Sequence, residues 1–239
     1  MTAIAYIGAR PPLVKAFGGP DGRTGHVSKQ VVDIVGIDAP SFDQIEERAA
    51  PDAATVILSV RRHDLTDEMG ELEHRLLGHL RSAAVFRTAP LDRSLEMYWG
   101  WATATGVLLT AFHPDGTAWV HTGDLVEAVR RLNPVAIQER GGRAFDITGP
   151  QRVPMERLRA EFSDVFEVPI TLDCETPESV WRSLRRNGVP DEVGAWLVWY
   201  QAAVSDPRLP PTTSVLTDIL GRVPRSPRLV PEPMRPKET

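Results

Sequence analysis

The chain has 239 residues, 42% of them hydrophobic, so it can bury a sizeable core within one domain. Its formal net charge of −5 argues against a nucleic-acid partner, which normally requires a basic face. The single cysteine, Cys174, excludes an internal disulfide and fits a reducing cytoplasm. With no apolar run near the ~20 residues of a membrane span and no signal-peptide pattern, we expect a cytoplasmic protein without a membrane partner.

The first half of the chain alternates apolar runs with amphipathic segments, the pattern of a parallel sheet covered by helices. Ser41, with Gln44 three residues later, predicts a capping box at the start of a helix. The glycine-rich residues 18–25 predict an exposed loop. The elements predicted in this half are strands at 3–7, 31–38, 54–60 and 84–90 and helices at 41–48 and 71–81.

The second half predicts further strands and helices, followed by a proline-rich tail. Asp124 precedes an apolar helical run and is the expected N-cap of that helix. Thr176 and Pro177 begin another helix, because proline is tolerated in a first turn. Residues from 225 onward are expected to be extended or disordered. The predicted strands are 118–120, 143–148 and 168–174, and the further helices are 155–162 and 191–203.

Three segments resemble the NmrA-like branch of the atypical short-chain dehydrogenases. They are AWVHTGDLVEAVRRL at 118–132, GRAFDITGP at 142–150 and TTSVLTDILGRVPRS at 212–226. The resemblance implies an α/β fold: a trimmed Rossmann-like parallel sheet flanked by helices, with a small C-terminal substrate lobe. We expect a degenerate Rossmann-like domain at 1–150, a helical substrate lobe at 151–224 and a tail at 225–239.

The first loop departs from the family's glycine motif, G-A-T-G-x-x-G. Gly8 keeps the first glycine, but Pro11 and Val14 stand at the second and third glycine positions. Proline offers no N–H to a phosphate, and a Cβ obstructs the close approach of the backbone to a pyrophosphate. The family's Y-x-x-x-K pair is absent as well. We therefore expect no cofactor and assign no cofactor-binding residue, with NADP(H) as the alternative.

Ligands of open parallel sheets bind beyond the carboxyl ends of the strands, and this rule selects the candidate site residues. The ends of three predicted strands, together with a helix that crosses them in the family, should meet at one crevice. His63 beside Asp64 is the sharpest pair, because a carboxylate can orient a histidine for proton transfer. The catalytic candidates are His63, Asp64, Tyr98 and His121, and the substrate-binding candidates are Ser59, Arg61, Thr88, Met97, Trp99 and Trp101.

Structural alternatives stay open for several of these residues. His63 also fits a solvated loop, and His121 could simply bond to loop backbone. Arg61 either grips an anionic group or belongs to a solvated face. The aromatic cluster at 98–101 serves either core packing or an aromatic-walled pocket. His74 and His79 do not share a helix face, so no metal site is predicted.

The sequence favours a small-molecule enzyme of specialised metabolism with cofactor-independent acid–base chemistry, such as cyclisation, isomerisation or elimination, on a planar or polycyclic substrate. One alternative is an NAD(P)H-dependent reductase of a quinone or enone. Another is a non-catalytic NmrA-like protein that acts by binding partners. The expected ligand is a small molecule, and the question of a homodimer is left open.

Overall fold

The computed structural model describes residues 5–7, 29–36, 39–50, 53–132 and 144–230. It divides the chain into two units, each assembled from separate stretches of sequence. Unit 1 comprises Met1–Thr88, Gly123–Ile147 and Val215–Arg222, and unit 2 comprises Ala89–Thr122, Thr148–Ser214 and Val223–Thr239. Residues 89–122, which we assigned to the first domain, therefore belong to unit 2 together with most of the predicted C-terminal lobe.

The regular elements confirm the predicted α/β class. The strands are β1 (Ala5–Ile7), β2 (Lys29–Asp33), β3 (Ala54–Val60), β4 (Ala83–Thr88), β5 (Val107–Thr110), β6 (Ala144–Ile147) and β7 (Thr171–Cys174). The helices are α1 (Phe42–Arg48), α2 (Glu68–His79), α3 (Leu95–Thr105), α4 (Thr122–Arg131), α5 (Met155–Phe166), α6 (Pro177–Arg186), α7 (Asp191–Val204) and α8 (Val215–Leu220). A 3₁₀ turn, Asp92–Ser94, precedes α3.

Unit 1 contains a five-stranded sheet with the order β1-β2-β3-β4-β6, in which every neighbouring pair is parallel. The described strands thus follow one another in chain order. A Rossmann sheet instead reverses its order beside its first strand, and the ligand lies at that reversal. Here β1 lies at the edge of the described sheet. The strand order of these residues therefore selects no single crevice as the ligand site.

Successive side chains of each strand point to opposite faces of this sheet, and both faces carry apolar residues. Helices therefore cover both faces. Ile45 of α1 and Leu76 of α2 pack with Val32, Ile57 and Val85 in one buried cluster. On the opposite face, the Nζ of Lys29 donates to the backbone carbonyls of Val129 (3.3 Å) and Arg130 (2.6 Å) of α4. Leu125, Ala128 and Val129 of α4 are fully buried.

Local signals in the sequence locate several helix ends. Ser41 and Gln44 form the predicted capping box of α1, and the Thr176 hydroxyl caps α6, which begins with Pro177. Residues 118–120 differ from the prediction, because they form no regular strand and only Val120 forms an isolated bridge, with Leu91. None of the helices in the described ranges has the length and apolar character needed to cross a lipid bilayer.

Unit 2 contains the two-stranded parallel sheet of β5 and β7, together with α3, α5, α6 and α7. Its core is aromatic: the side chains of Phe112, Trp119 and Phe162 are fully buried. Gly149 is required there, since a Cβ at this position would lie 1.9 Å from the carbonyl oxygen of Trp119. The Gly149-Pro150 ending of the second signature segment is thus explained by a close backbone crossing.

Candidate functional site

Ser59, a predicted substrate-binding residue at the end of β3, lies in a buried ionic network of unit 1. Its Oγ donates to the Oε1 of Glu73 at 2.5 Å. Arg62 donates to the same Oε1 at 3.0 Å and binds both carboxylate oxygens of Asp67 at 3.0 and 3.1 Å. Arg87 donates to the Oε2 of Glu73 at 2.8 and 3.0 Å. These bonds tie the end of β3 to α2 and β4, and the Ser59 side chain is fully buried.

Arg61 and Thr88, two further predicted substrate ligands, are also buried in unit 1. The Nε of Arg61 lies 3.3 Å from the Oδ2 of Asp146 on β6, and its side chain is almost wholly buried. The Thr88 hydroxyl donates to the carbonyl of Ser59 at 3.3 Å. Arg61 is therefore not on a solvated face, one of the two alternatives that the sequence left open. Thr88 connects β4 to its neighbour β3, whereas the Arg61 side chain joins the end of β3 to β6, with β4 between these two strands.

His63 and Asp64 lie together on the exposed loop that follows β3. The Oδ1 of Asp64 accepts hydrogen bonds from the backbone N–H (2.9 Å) and the hydroxyl (2.7 Å) of Thr66. These bonds, the backbone N–H first, hold the pKa of Asp64 below its ordinary value. Asp64 thus closes the loop through Thr66, and the structure leaves His63 exposed beside it. Proton transfer by His63 stays a prediction.

Tyr98 of α3 lies in the aromatic core of unit 2. Its ring contacts those of Phe112 and Trp119, with centroids 5.6 and 6.2 Å apart. The Nε2 of Gln201 donates to the Tyr98 hydroxyl at 3.3 Å. Burial raises the pKa of Tyr98 far above its ordinary value, so the phenol is a weaker acid than a free tyrosine. Its predicted role in proton transfer therefore has no support from its surroundings.

The other residues of the predicted aromatic cluster point in different directions from α3. Trp99 stacks on Phe166 of α5 at 5.4 Å, whereas Met97 is 48% exposed. Trp101 is half-buried and lies four residues after Met97, so the two side chains share one helix face. That face, which we call the Met97/Trp101 face, is the part of the predicted cluster that a ligand can reach.

His121 is largely buried just before α4, and the start of this helix differs from the prediction. The helix begins at Thr122, so Asp124 is its third residue and not its N-cap. Asp92 replaces the expected cap: its Oδ1 accepts from the backbone N–H of Thr122 (3.0 Å) and from its hydroxyl (2.6 Å). A carboxylate also suits a helix N-terminus electrostatically.

Asp124 has a different partner within unit 1. It is fully buried, and its Oδ1 accepts from the Nη2 of Arg222 at 2.8 Å, which also binds Glu127 at 2.5 Å. Asp124 and Arg222 belong to the first and last of the three signature segments. The ion pair explains why a residue of each segment is charged: together they attach the end of α8 to α4.

The sequence interpretation passed over three residues with distinctive surroundings. Glu73 lies on the apolar stripe of α2, and an acid at such a position is a usable signal for a buried ion pair. Gln201 accepts from the backbone N–H of Ala111 at 2.7 Å and joins α7 to β5. Arg152 is half-buried, and its buried Nε has no hydrogen-bond partner.

Metal and thiol chemistry gain no support from the described residues. No group of three or more histidine, cysteine or acidic side chains among them is arranged to hold a metal ion. Burial, followed by the charges of Asp173 and Glu156, raises the pKa of the Cys174 thiol above its ordinary value. The thiol therefore stays protonated at neutral pH, which makes it a poor nucleophile.

Comparison of the chain with known proteins finds similar structures but no similar sequences. No protein-family model matches it, and no curated protein sequence matches it. A similar structure is the NADPH-dependent quinone oxidoreductase of Escherichia coli in complex with NADPH. It is 16% identical over 95% of this chain and 89% of that chain, with a TM-score of 0.69.

Two further structures have the same fold. Triphenylmethane reductase of Citrobacter sp. in complex with NADP(H) is 15% identical over 94% of this chain and 89% of that chain, with a TM-score of 0.62. A nucleoside-diphosphate-sugar epimerase of Staphylococcus aureus is 18% identical over 90% and 77%, with a TM-score of 0.55. The matches confirm a Rossmann-like α/β fold with flanking helices.

These matches correct the expectation that no cofactor is involved. Two of the three similar structures are complexes with NADPH or NADP(H), and both extend over most of the chain. The expectation was based on Pro11 and Val14 in the first loop, which lie outside the described residues. Substitutions in one loop were thus a poor basis for excluding a cofactor from the whole fold.

Proposed function

We propose that this chain is an NADPH-dependent oxidoreductase of the NmrA-like type that reduces a planar acceptor such as a quinone. The supporting observation is the extent of the fold match: the quinone oxidoreductase complex with NADPH aligns with 95% of this chain. Two of the three similar structures are reductases in complex with NADPH or NADP(H), which favours this function over the cofactor-independent acid–base chemistry that the sequence favoured.

The described polar side chains at the strand ends of unit 1 have partners within the protein, so a phosphate would have to be bound by other groups, such as backbone N–H donors. Arg61 and Arg62 after β3 are committed to carboxylates. The hydroxyl of Ser41, after β2, caps its own helix. Gly8, the retained glycine of the family motif, lies outside the described residues. Because NADPH carries the hydride in such reductases, the first measurement concerns nucleotide binding itself.

The Met97/Trp101 face of α3 is the proposed contact for the acceptor. Its thioether and indole offer an apolar, polarisable surface on which a flat ring can pack. Proton transfer by His63 of unit 1 is a separate prediction, which is tested independently of this face. His63 is exposed, whereas Tyr98, another candidate for proton transfer, is buried.

The test begins with calorimetric titration of NADPH and NADH, followed by the loss of NADPH absorbance with a quinone acceptor. We expect Trp101→Ala to lower kcat/KM for the quinone about tenfold, corresponding to one lost stacking contact. Trp199→Ala is the matched control, because Trp199 is a 36% exposed indole on α7 of the same unit. Equal activity of the two variants would remove the Met97/Trp101 face from the proposal.

The role of His63 has its own pair of variants. His63→Gln is expected to lower kcat by about 10²-fold or more, as for the loss of a positioned acid. His74→Gln, an exposed histidine on α2, should leave kcat unchanged. Failure of the wild-type chain to bind NADPH, or to oxidise it with any quinone, would contradict the reductase proposal.

A binding protein without turnover is the second candidate, and a specific observation favours it. Of the residues predicted for catalysis or substrate binding, Ser59 is bonded to Glu73 and Tyr98 is enclosed by aromatic rings. NADPH binding without oxidation by any acceptor would support this candidate over the reductase.

A further inference from the structure

Six arginines of the described residues are buried or half-buried, and all but one of them pair with a carboxylate. Five of them form ion pairs with carboxylates: Arg61 with Asp146, Arg62 with Asp67 and Glu73, Arg87 with Glu73, Arg159 with Glu156, and Arg222 with Asp124. Arg152 of unit 2 is the exception. Its side chain is half-buried, its Nε is buried, and no hydrogen bond or ion pair joins that atom to a described residue.

The backbone on both sides of Arg152 is fixed. Before it, the N–H of Gly149 donates to the carbonyl of Ala118 at 2.9 Å. After it, the N–H of Val153 donates to the carbonyl of Thr117 at 3.0 Å. The Val153 side chain is buried, so this stretch belongs to the core of unit 2. The backbone at Arg152 is therefore held in place by its neighbours, and this fixes the point from which the Arg152 side chain extends.

A half-buried arginine without a carboxylate is unfavourable for the fold. Its Nε–H loses water without gaining an acceptor, and the long side chain loses rotamer freedom. A neutral side chain of similar length would avoid the cost of burying a charge. Groups that violate the folding rules in this way are concentrated at sites of function.

We propose that Arg152 binds an oxyanion, either a carboxylate or a phosphate group of a small molecule. A guanidinium has only donors, so the partner has to be an acceptor, and its positive charge favours an anion. Its planar fork matches both carboxylate and phosphate oxygens in a bidentate arrangement. The assignment goes beyond the proposed reductase function, because it holds whether or not NADPH is oxidised.

The binding experiment uses the full chain and three probes: inorganic phosphate, benzoate and NADP⁺. Calorimetry should detect binding of at least one of them to the wild-type chain. Arg152→Gln should weaken that binding about tenfold or more, which corresponds to about 1.4 kcal/mol. Arg157→Gln is the matched control, since Arg157 is an exposed arginine of α5 and the variant has the same net charge.

The pattern across probes identifies the source of the oxyanion. A loss confined to NADP⁺ and phosphate indicates a phosphate group, and a loss confined to benzoate indicates a carboxylate. The proposal is overturned if the wild-type chain binds none of the three, or if Arg152→Gln and Arg157→Gln bind them equally. Quinone-dependent NADPH oxidation, measured on the same variants, tests the reductase proposal separately.

Thermal unfolding separates a binding role from a structural one. Without added anion, Arg152→Leu should keep the wild-type Tm or exceed it, because the uncompensated donor is gone. The bound anion should raise the Tm of the wild-type chain but not that of the variant. A Tm several degrees below wild type in the absence of anion would instead show that Arg152 stabilises the fold, and would overturn the proposal.

Discussion

Unit 1 and unit 2 use buried polar groups differently. In unit 1, Glu73 is enclosed by donors from Ser59, Arg62 and Arg87, and the buried Asp124 is paired with Arg222. Among the described residues, unit 2 contains three of the four buried side-chain nitrogens that have no hydrogen-bond partner: the indole nitrogens of Trp99 and Trp119 and the Nε of Arg152. The fourth, the Nε2 of His79, lies in unit 1.

This difference changes how a residue at a strand end is interpreted. Ser59 and Arg61 occupy positions where ligands of parallel sheets bind, yet their side chains are bonded to Glu73 and Asp146 within unit 1. Arg152 was not selected by that rule, although its guanidinium lacks a carboxylate partner. A search for ligand-binding groups should therefore ask two questions of a buried polar group: where it lies in the sheet, and whether its hydrogen-bonding capacity is already used.

The largest effect is expected from Gly149→Ala in unit 2. The new Cβ would lie 1.9 Å from the carbonyl oxygen of Trp119, a backbone atom that cannot move without displacing the aromatic core. We expect a loss of more than about 3 kcal/mol in the free energy of unfolding, or no folded protein. Urea denaturation followed by tryptophan fluorescence measures it.

Gly100→Ala is the control for this change. Gly100 lies on α3 of the same unit, and a Cβ there has nothing within 4 Å. Alanine should stabilise α3 by up to about 1 kcal/mol, because it favours the helix more than glycine does. If Gly149→Ala were as stable as wild type, the close crossing at Trp119 would not exist as described.

The second effect is expected in unit 1, from Glu73→Gln. The substitution removes the charge between Arg62 and Arg87 and leaves two guanidinium groups without their shared carboxylate. Breaking a buried pair in this way costs about 3–5 kcal/mol of stability. Glu47→Gln, at an exposed position of α1, should change it by less than about 0.5 kcal/mol. Similar stabilities of the two variants would show that the network is not coupled to folding.

The third and smallest effect is the alkaline response of Tyr98. Its pKa is raised in the folded chain, so the unfolded chain releases its proton first as pH rises. The contribution of Tyr98 is therefore complete below about pH 10 and decreases above it by about 1.4 kcal/mol per pH unit. Tyr98→Phe should make the unfolding free energy less dependent on pH between pH 10 and 11. If the unfolding free energy of this variant depended on pH as in the wild type, Tyr98 would not be buried as described.

Local sequence signals were sufficient for most of the fold. The apolar run at 54–60 coincides with β3, and the Ser41–Gln44 capping box forms as predicted. Both depend on residues close together in the chain, whose preferences do not need a tertiary partner. The alternation of apolar runs with amphipathic segments also predicted a parallel sheet. It did not predict the strand order, because the pairing of β1 with β2 depends on contacts between segments that are distant in the sequence.

The candidate site was predicted less well for the same physical reason. Arg61 finds its partner Asp146 85 residues away, and Arg222 lies 98 residues from Asp124. No spacing pattern encodes such a pair. The sequence placed Arg61 at the right strand end but could not show that its charge was already neutralised. Only the position of Glu73 on an apolar helix stripe hinted at the buried network.

The interleaved course of the chain has a consequence for its synthesis. Unit 1 is completed only by Val215–Arg222, which follows nearly all of unit 2 in the sequence. Leu216, Ile219 and Leu220 of this segment are buried. During translation the sheet therefore emerges from the ribosome long before the helix that finishes it. Its apolar surface stays exposed in the interval, when a nascent chain is most open to aggregation and to chaperones.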